Sequence, residues 1–254
     1  MKKTIIAIAI AAGATLSTSA FALEWQPGTA NGEVGFGGTI TPNVVQSPWK
    51  VKLGSGVNNL DSQVDSGVDS VSMNMPTDAL ILGIRSDGFF QGGPNLAPKI
   101  DYSGHMGNDF QNGKVSLTLD VTDDAGQSIG TLTTKMTTAA MGASKTPSAE
   151  GHYFMWADGA NSAYAGGLAD SVDKAMGDSV AFAQRIDSTI TENWEGPGRY
   201  LGGFPSRFHD TTAQYNSYYV SALESSETVS IQLKNPLTSA VTWKASLPIT
   251  VTYQ

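Results

Sequence analysis

Residues 241–253 read VTWKASLPITVTY, and an apolar side chain occupies every odd position. The even positions are polar except for Pro248. Successive side chains of a β-strand point to opposite faces, so this alternation predicts a long strand with one buried face. Pro248 has no backbone N–H to donate, so we expect a sheet edge or a bulge there. The predicted buried set is Val241, Trp243, Ala245, Leu247, Ile249, Val251 and Tyr253.

The same alternation recurs upstream of this stretch. Residues 229–233 alternate, and residues 115–121 and 128–137 flank a turn at Asp123-Asp124-Ala125-Gly126, which predicts a hairpin. Weaker strand candidates cover residues 49–53, 71–75, 80–84, 100–102 and 215–223. With 28 glycines and only 15% charged residues, the chain is predicted to be mainly β, with its strands arranged as a sandwich.

The spacing changes between Leu168 and Ile190, where apolar residues recur every three or four positions. This period is typical of an amphipathic helix, and Gly177 divides it, so we predict two short helices with Asp170 and Asp178 as caps. Because strands are predicted on both sides, residues of about 150–212 are interpreted as an insertion of loops and short helices in the sandwich.

The N-terminus predicts export from the cytoplasm. Lys2 and Lys3 precede an apolar run over residues 5–12, and Ala20-Phe21-Ala22 follows. These are the parts of a secretory signal, so residues 1–22 are predicted to be removed. The apolar run is shorter than the roughly 18 residues that a membrane span needs. The chain has no cysteine, so its exported form depends on strand pairing and apolar burial rather than on disulfides.

Composition and motifs argue against catalysis and nucleic-acid binding. The formal net charge is −8, which disfavours a nucleic-acid partner. His105, His152 and His209 are scattered without zinc-ligand spacing. Residues 120–126 are similar to a calcium loop, but Thr131 stands where a bidentate Glu is needed, and a hairpin turn explains the run better. We therefore predict no catalytic residue, no cofactor and no metal. The remaining enzymatic alternative is a hydrolase in which the fold brings two carboxylates together from distant parts of the sequence.

A second one-sided strand is predicted just after the signal. Residues 30–40 read ANGEVGFGGTI, with small or apolar side chains at even positions and Asn31, Glu33 and Thr39 on the other face. The apolar face consists of Ala30, Gly32, Val34, Phe36 and Ile40, with Gly38 among them. The simplest interpretation is the first strand of the domain's own sheet.

Several motifs give this chain a resemblance to a known family. They span most of the sequence and comprise Met1-Lys2-Lys3-Thr4, the Asn-Gly-x-Val-x-Phe-Gly-Gly-x-Ile pattern at 31–40, Trp49-Lys50, Pro76-Thr77-Asp78, Pro98-Lys99-Ile100, Ala157-Asp158-Gly159, Gly166-Gly167-Leu168, Gln184-Arg185-Ile186, Ile190-Thr191, Trp243-x-Ala245 and the penultimate Tyr253. On these residues the chain resembles the major adhesive subunits of kappa-class chaperone–usher fimbriae.

The resemblance implies an immunoglobulin-like sandwich that lacks its seventh strand. Residues 23–41 are then an N-terminal extension, and residues 42–254 are the pilin domain that contains the insertion. The extension of one subunit is expected to donate its strand to an identical subunit, beside the C-terminal strand. A periplasmic chaperone and an outer-membrane usher are the expected assembly partners, and the cell-surface fimbria is the expected location.

The resemblance also implies adhesion to a host glycoconjugate through the insertion. Aromatic rings that stack on sugars, beside polar groups, are the chemistry such a site needs. The candidates are Trp156, Asp158, Tyr164, Trp194 and Tyr200. Packing inside the insertion is the alternative role for Trp156 and Tyr164.

Other interpretations of the whole chain remain. The first is a minor or tip subunit of the same kind of fimbria. The second is a free secreted lectin-like β-sandwich that pairs its N-terminal strand internally. Pairing of residues 30–40 within or between molecules separates the second interpretation from a polymerising subunit.

Overall fold

The computed structural model describes residues 47–254. The strands are β1 (Trp49–Leu53), β2 (Ser70–Asn74), β3 (Ala79–Ser86), β4 (Phe90–Gln91), β5 (Pro98–Asp101), β6 (Lys114–Asp123), β7 (Ser128–Lys145), β8 (Glu150–Met155), β9 (Arg199–Phe204), β10 (Gln214–Leu223), β11 (Thr228–Leu233), β12 (Trp243–Ala245) and β13 (Thr250–Tyr253). The helical elements are α1 (Val180–Ile186) and a 3-10 helix (Ser188–Thr191). The prediction of a mainly β fold is confirmed.

The long strand β7 connects the two layers of the sandwich. Its first half pairs with β6 on one edge and β11 on the other, while its second half pairs with β10 and β8. One layer therefore runs β1-β3-β10-β7-β8-β9, and the other runs β2-β11-β7-β6-β12. The pairing is antiparallel except between β8 and β9. Strands β5 and β13 form a separate two-stranded sheet.

Two clusters of buried side chains lie on opposite faces of β10. Tyr219 belongs to the main core between the layers. Tyr218 and Val220 instead contact a smaller cluster that contains Phe182 and Ala183 of α1. Since successive strand residues face opposite sides, β10 is buried on both faces, and α1 is held on the outer face of the sandwich. The predicted insertion at about 150–212 is not confined to loops and short helices, because β8 and β9 lie within it and extend one layer of the sandwich.

The C-terminal stretch forms two short strands rather than the single long strand predicted for residues 241–253. Strand β12 pairs with β6, and β13 pairs with β5. The interruption at residues 246–249 contains Pro248, which cannot donate to a ladder and marks the point where the chain changes partner. The alternation nevertheless persists in burial, because residues 243, 245, 247, 249 and 251 are half-buried and the residues between them are exposed.

The predicted pair of helices in the insertion is wrong in its first member. Residues 168–177 form turns, and the described helix α1 begins only at Val180. Leu168 and Ala175 are buried, but Val172 is 46% exposed, whereas a helix would have placed it on their face. Asp178 does accept a hydrogen bond from the backbone N–H of Val180, at 3.1 Å. The local polar and glycine residues therefore favour turns over a first helix.

The predicted signal (residues 1–22), the predicted extension (residues 23–41) and the first residues of the predicted domain lie outside the described residues. The division at residues 41–42 remains a prediction. In the part of the chain that the structure describes, no helix has both the length and the apolar character to cross a membrane.

Candidate functional site: an open apolar groove

The inward face of β1 is left uncovered. Val51 lies opposite Ile84 of β3, and Leu53 lies opposite Leu82. Directly opposed residues of an antiparallel pair share one face. Ile84 and Leu82 are buried in the main core, yet Val51 is 45% exposed and Leu53 is 60% exposed. The side of the sheet that should be covered therefore ends in two open aliphatic side chains.

The C-terminal strand has the same property. Ala245 lies opposite Val121, a fully buried residue of β6, so the odd residues of this stretch also face the core. They contact the core cluster but stay only half-buried, and Val241 and Tyr253 at the two ends are 38% and 39% exposed. The half-buried side chains are Trp243, Ala245, Leu247, Ile249 and Val251.

A groove of about 1570 Å³ lies between these two incomplete edges. One wall is formed by residues 241–249 and the opposite wall by Leu53, Gly54 and residues 79–81. The floor is aliphatic and comprises Val71, Met73, Leu117, Leu119, Val121, Ile129, Leu132, Leu223, Val229, Ile231 and Leu233. Small-molecule pockets usually measure about 300–1,000 Å³, so the groove has the dimensions of a polypeptide segment.

The backbone along both walls retains hydrogen-bonding capacity. Among residues 47–254, β1 pairs with β3 alone, β12 with β6 alone and β13 with β5 alone. Each of these strands thus has a second edge whose N–H and C=O groups have no ladder partner in the described chain. An open edge next to an apolar groove is a template for an added strand.

Charge lies at the rim of the groove rather than within it. Lys244 forms an exposed ion pair with Asp124, at 2.9 Å between Nζ and Oδ1. Asp61 and Asp65 border the groove from the segment that follows β1. The aliphatic floor and walls therefore suit an apolar strand face, and no cluster of metal-binding side chains occurs in residues 47–254.

The five residues predicted to contact glycan do not lie on one surface. Tyr164 has no exposed area, and its hydroxyl lies 3.0 Å from Ser217 Oγ in the core. Burial also raises the pKa of Tyr164. This corrects the prediction for Tyr164, since an external sugar cannot reach it.

Trp156 and Asp158 have structural contacts of their own. The indole of Trp156 is half-buried against the main core, and its Nε1 has no hydrogen-bond partner among the described residues. Asp158 accepts hydrogen bonds from Ser162 and from Arg207, whose Nη2 lies 2.8 Å from Oδ1. These bonds, Ser162 first and then Arg207, hold the pKa of Asp158 below its ordinary value. Asp158 is thus held as a carboxylate within a local network.

Trp194 is half-buried, and Tyr200 is exposed. Trp194 borders a shallow surface cavity of about 380 Å³, whose other residues are Asp87, Gly88, Glu192, Asn193 and Glu195. Its ring forms a T-shaped pair with the Tyr218 ring, with centroids 5.2 Å apart, and Asn193 Nδ2 donates to Asp87 Oδ1 at 2.9 Å. Tyr200 lies on β9, is 43% exposed and contacts the His152 ring.

Sequence reasoning missed the far wall of the groove and the carboxylates beside Trp194. The alternation of Trp49, Val51 and Leu53 was a usable signal for the wall, because it marks one apolar face on an early strand. Asp87 gave no such signal, since only the fold brings it to Asn193.

Comparison with known proteins agrees with this architecture. Residues 1–254 match the family described as fimbrial, major and minor subunit. The chain is 26% identical over 293 residues to K88 fimbrial protein AB of Escherichia coli and 26% identical over 293 residues to the F41 fimbrial protein of Escherichia coli, with 100% of each chain covered. The match over the whole chain confirms the predicted non-enzymatic fimbrial protein, and the chain belongs to the family of fimbrial major and minor subunits, which build cell-surface fimbriae.

Proposed function

We propose that this subunit polymerises by donor-strand exchange, in which residues 30–40 of one copy fill the groove of the next. The observation that carries the proposal is the exposure of core-facing side chains on both edges of the groove, such as Leu53 at 60%. A sandwich that closes itself covers such positions. A strand from another copy would cover them here.

The proposed donor segment suits the groove in length and pattern. Residues 30–40 extended as a strand reach about 36 Å, and the wall at residues 241–249 extends about 30 Å. Val34, Phe36 and Ile40 would face the aliphatic floor, and each buried side chain contributes ~1.5–3 kcal/mol. The gross gain is therefore roughly 5–9 kcal/mol before ordering costs. Backbone hydrogen bonds to the open edges add to it.

An empty groove has to be covered before assembly if the subunit is not to aggregate. An exposed apolar surface beside an unpaired strand edge promotes aggregation. The chain has no cysteine and therefore no disulfide that would stabilise the empty subunit. We therefore propose that a periplasmic chaperone covers the groove until an outer-membrane usher exchanges it for the next subunit's strand.

Phe36→Asp tests the proposed exchange. A buried, unpaired carboxylate is costly in an apolar groove, so we expect this variant to form no fibres. The matched control is Thr39→Asp, which adds the same charge to the polar face of the segment and should retain fibres. Electron microscopy of the cell surface and native gels of extracts are the measurements. Normal fibres from the Phe36→Asp chain would contradict donor-strand exchange.

We further propose that the fimbria adheres to host glycans through the insertion. Trp194 carries this second proposal, because its indole borders a surface cavity together with Asn193 and Asp87. An aromatic ring beside carboxylate and amide groups is suited to stacking on a sugar while accepting hydrogen bonds from its hydroxyls. Since every copy in a fibre carries this cavity, many weak contacts would act together.

A further inference from the structure

The chain between β1 and β2 forms part of the groove wall without forming regular structure. Residues 54–65 contain neither strand nor helix, and a turn follows at residues 66–67. Residues 56–58 and 60–66 all border the groove. Connections of this length without secondary structure are uncommon and often functional. We call residues 55–66 the connecting segment.

The connecting segment is held by two apolar side chains. Val57 and Leu60 are half-buried and pack against the main core, whereas its other residues are exposed. Val64, for comparison, is 43% exposed. Among residues 47–254, no hydrogen bond joins residues 55–65 to the rest of the structure. The floor of the groove consists of strands with ladder hydrogen bonds, and residues 246–249 of the C-terminal wall lie between the paired strands β12 and β13. The connecting segment is the longest stretch of the lining without such bonds, so it costs least to open.

Fixed points and glycines flank the segment. The N–H of Gly54 donates to Ile81 O at 3.0 Å, and the N–H of Gly67 donates to Leu237 O at 2.7 Å. A Cβ on Gly54 would lie 1.6 Å from Leu80 O, so the chain passes close beside the backbone of β3 there. Gly56 and Gly67 have φ angles of +77° and +93° with open space around them. Glycines with such freedom at both ends allow the segment to swing.

We propose that the connecting segment is a displaceable cover of the groove. Val57 and Leu60 hold it against the core in the empty subunit, and an incoming strand, residues 30–40 of a second copy, pushes it aside. The inference rests on the proposed donor-strand exchange. It adds that entry of the strand is limited by release of two aliphatic contacts, because no hydrogen bond to the described chain has to break.

Replacing both contact residues tests the cover. The mature chain is mixed with a fluorescent peptide of residues 27–41, and uptake is followed by anisotropy. We expect Val57→Ser/Leu60→Ser to take up the peptide about tenfold faster, equivalent to ~1.4 kcal/mol of lost contact. The matched control is Val172→Ser, which removes an exposed aliphatic side chain outside the groove and should leave the rate unchanged.

The outcomes separate the cover from the exchange itself. Uptake by the unsubstituted chain with an equal or slower rate in the double variant would overturn the cover and leave strand exchange intact. No uptake by the unsubstituted chain would overturn strand exchange, and the cover with it. A spin label on Ser62→Cys gives a second readout, since the chain has no other cysteine. Its mobility should rise on peptide uptake, and unchanged mobility would contradict displacement.

Discussion

Tyr164 and Trp194 are aromatic residues of the same insertion in very different surroundings. Tyr164 stacks on Tyr219, with centroids 5.3 Å apart, and has no exposed area. It also adopts a φ of +59°, a conformation that is uncommon for residues other than glycine. Trp194 is half-buried against the smaller cluster, forms a T-shaped pair with Tyr218 and borders a surface cavity. Surroundings, and not residue type, therefore decide which ring is available to a sugar.

Trp194→Ala is expected to weaken glycan binding by assembled fimbriae about tenfold or more, equal to at least ~1.4 kcal/mol per contact. The indole supplies the stacking surface, and no other ring borders the cavity within the described residues. Glycan arrays probed with purified fimbriae measure the effect. Thermal unfolding of the variant checks that loss of the contact with Tyr218 has not destabilised the fold.

The matched control is Tyr200→Ala, which removes an exposed ring from β9 of the same insertion. Retained binding in this control and loss in Trp194→Ala would support the cavity. Loss only in Tyr200→Ala would move the glycan contact to β9 and contradict the assignment to Trp194.

At the scale of elements, an ionic cluster attaches α1 to the sandwich. Arg185, in the last turn of α1, pairs with Asp78 before β3 and with Glu224 after β10, the latter at 2.6 Å. Glu224 also accepts a hydrogen bond from Thr137 Oγ1 at 2.6 Å, and its Oε1 lies 3.4 Å from Lys114 Nζ. One helix is thereby joined to the ends of two strands and to the middle of β7.

Glu224→Gln is expected to lower the free energy of unfolding by about 1–3 kcal/mol near neutral pH, because Arg185 and Lys114 lose a charged partner. Burial acts to raise the pKa of Glu224, but the hydrogen bonds from Thr137 and Arg185 outweigh it and hold the pKa below its usual 4.5. A depressed pKa stabilises the fold above the unfolded pKa, and this contribution is lost as the pH falls through the folded value. The deficit of the variant should therefore shrink in urea titrations below about pH 4.5.

Glu195→Gln is the matched control for this prediction. Glu195 pairs with Lys145 at 3.4 Å but is 64% exposed, so its loss should change stability by less than roughly 0.5 kcal/mol at any pH. An equal effect of both substitutions would contradict a special role for the cluster at Glu224.

Alternation predicted several of the strands that have one buried face, but it missed β8, whose buried and half-buried residues also alternate. It located β1, the hairpin of β6 and β7, and β11, and most of the predicted strand ends lie within two residues of the observed ones. It failed beyond residue 137 of β7, where residues 138–143 are buried on both faces and carry mostly small side chains. The helical spacing of apolar residues also failed to predict the first part of the insertion correctly. Residues 168–177 form turns, and these turns bury Leu168 and Ala175 without a helix.

The groove could be predicted only in part for a related reason. One wall carries its own signal, the alternation of residues 241–253, whereas the opposite wall becomes a wall only through the pairing of β1 with β3. The cavity at Trp194 depends on Asp87 and Asn193, which are remote in the sequence and joined by a hydrogen bond in the fold. Sequence periodicity reports which face of an element is buried, but it does not report what lies across from it.

At the scale of the whole molecule, incomplete burial and the absence of disulfides have one shared consequence. The groove leaves aliphatic side chains of β1 and the C-terminal strand exposed, and the chain has no cysteine to compensate. The C-terminus is anchored, because the N–H of Gln254 donates to Ala97 O at 3.0 Å. A segment attached there through a short linker can turn back along residues 253–241 and reach the groove within the same molecule.

We therefore expect a chain in which residues 23–40 are moved to the C-terminus, after a short linker, to be a folded monomer. Filling its own groove should raise the free energy of unfolding by several kcal/mol, up to the roughly 5–9 kcal/mol of gross apolar burial. Light scattering gives the mass and urea titration gives the stability. The same rearranged chain with Phe36→Asp is the control and should lose most of the gain. A rearranged chain that still polymerises, or that gains nothing over the mature chain, would contradict completion of this fold by a donated strand.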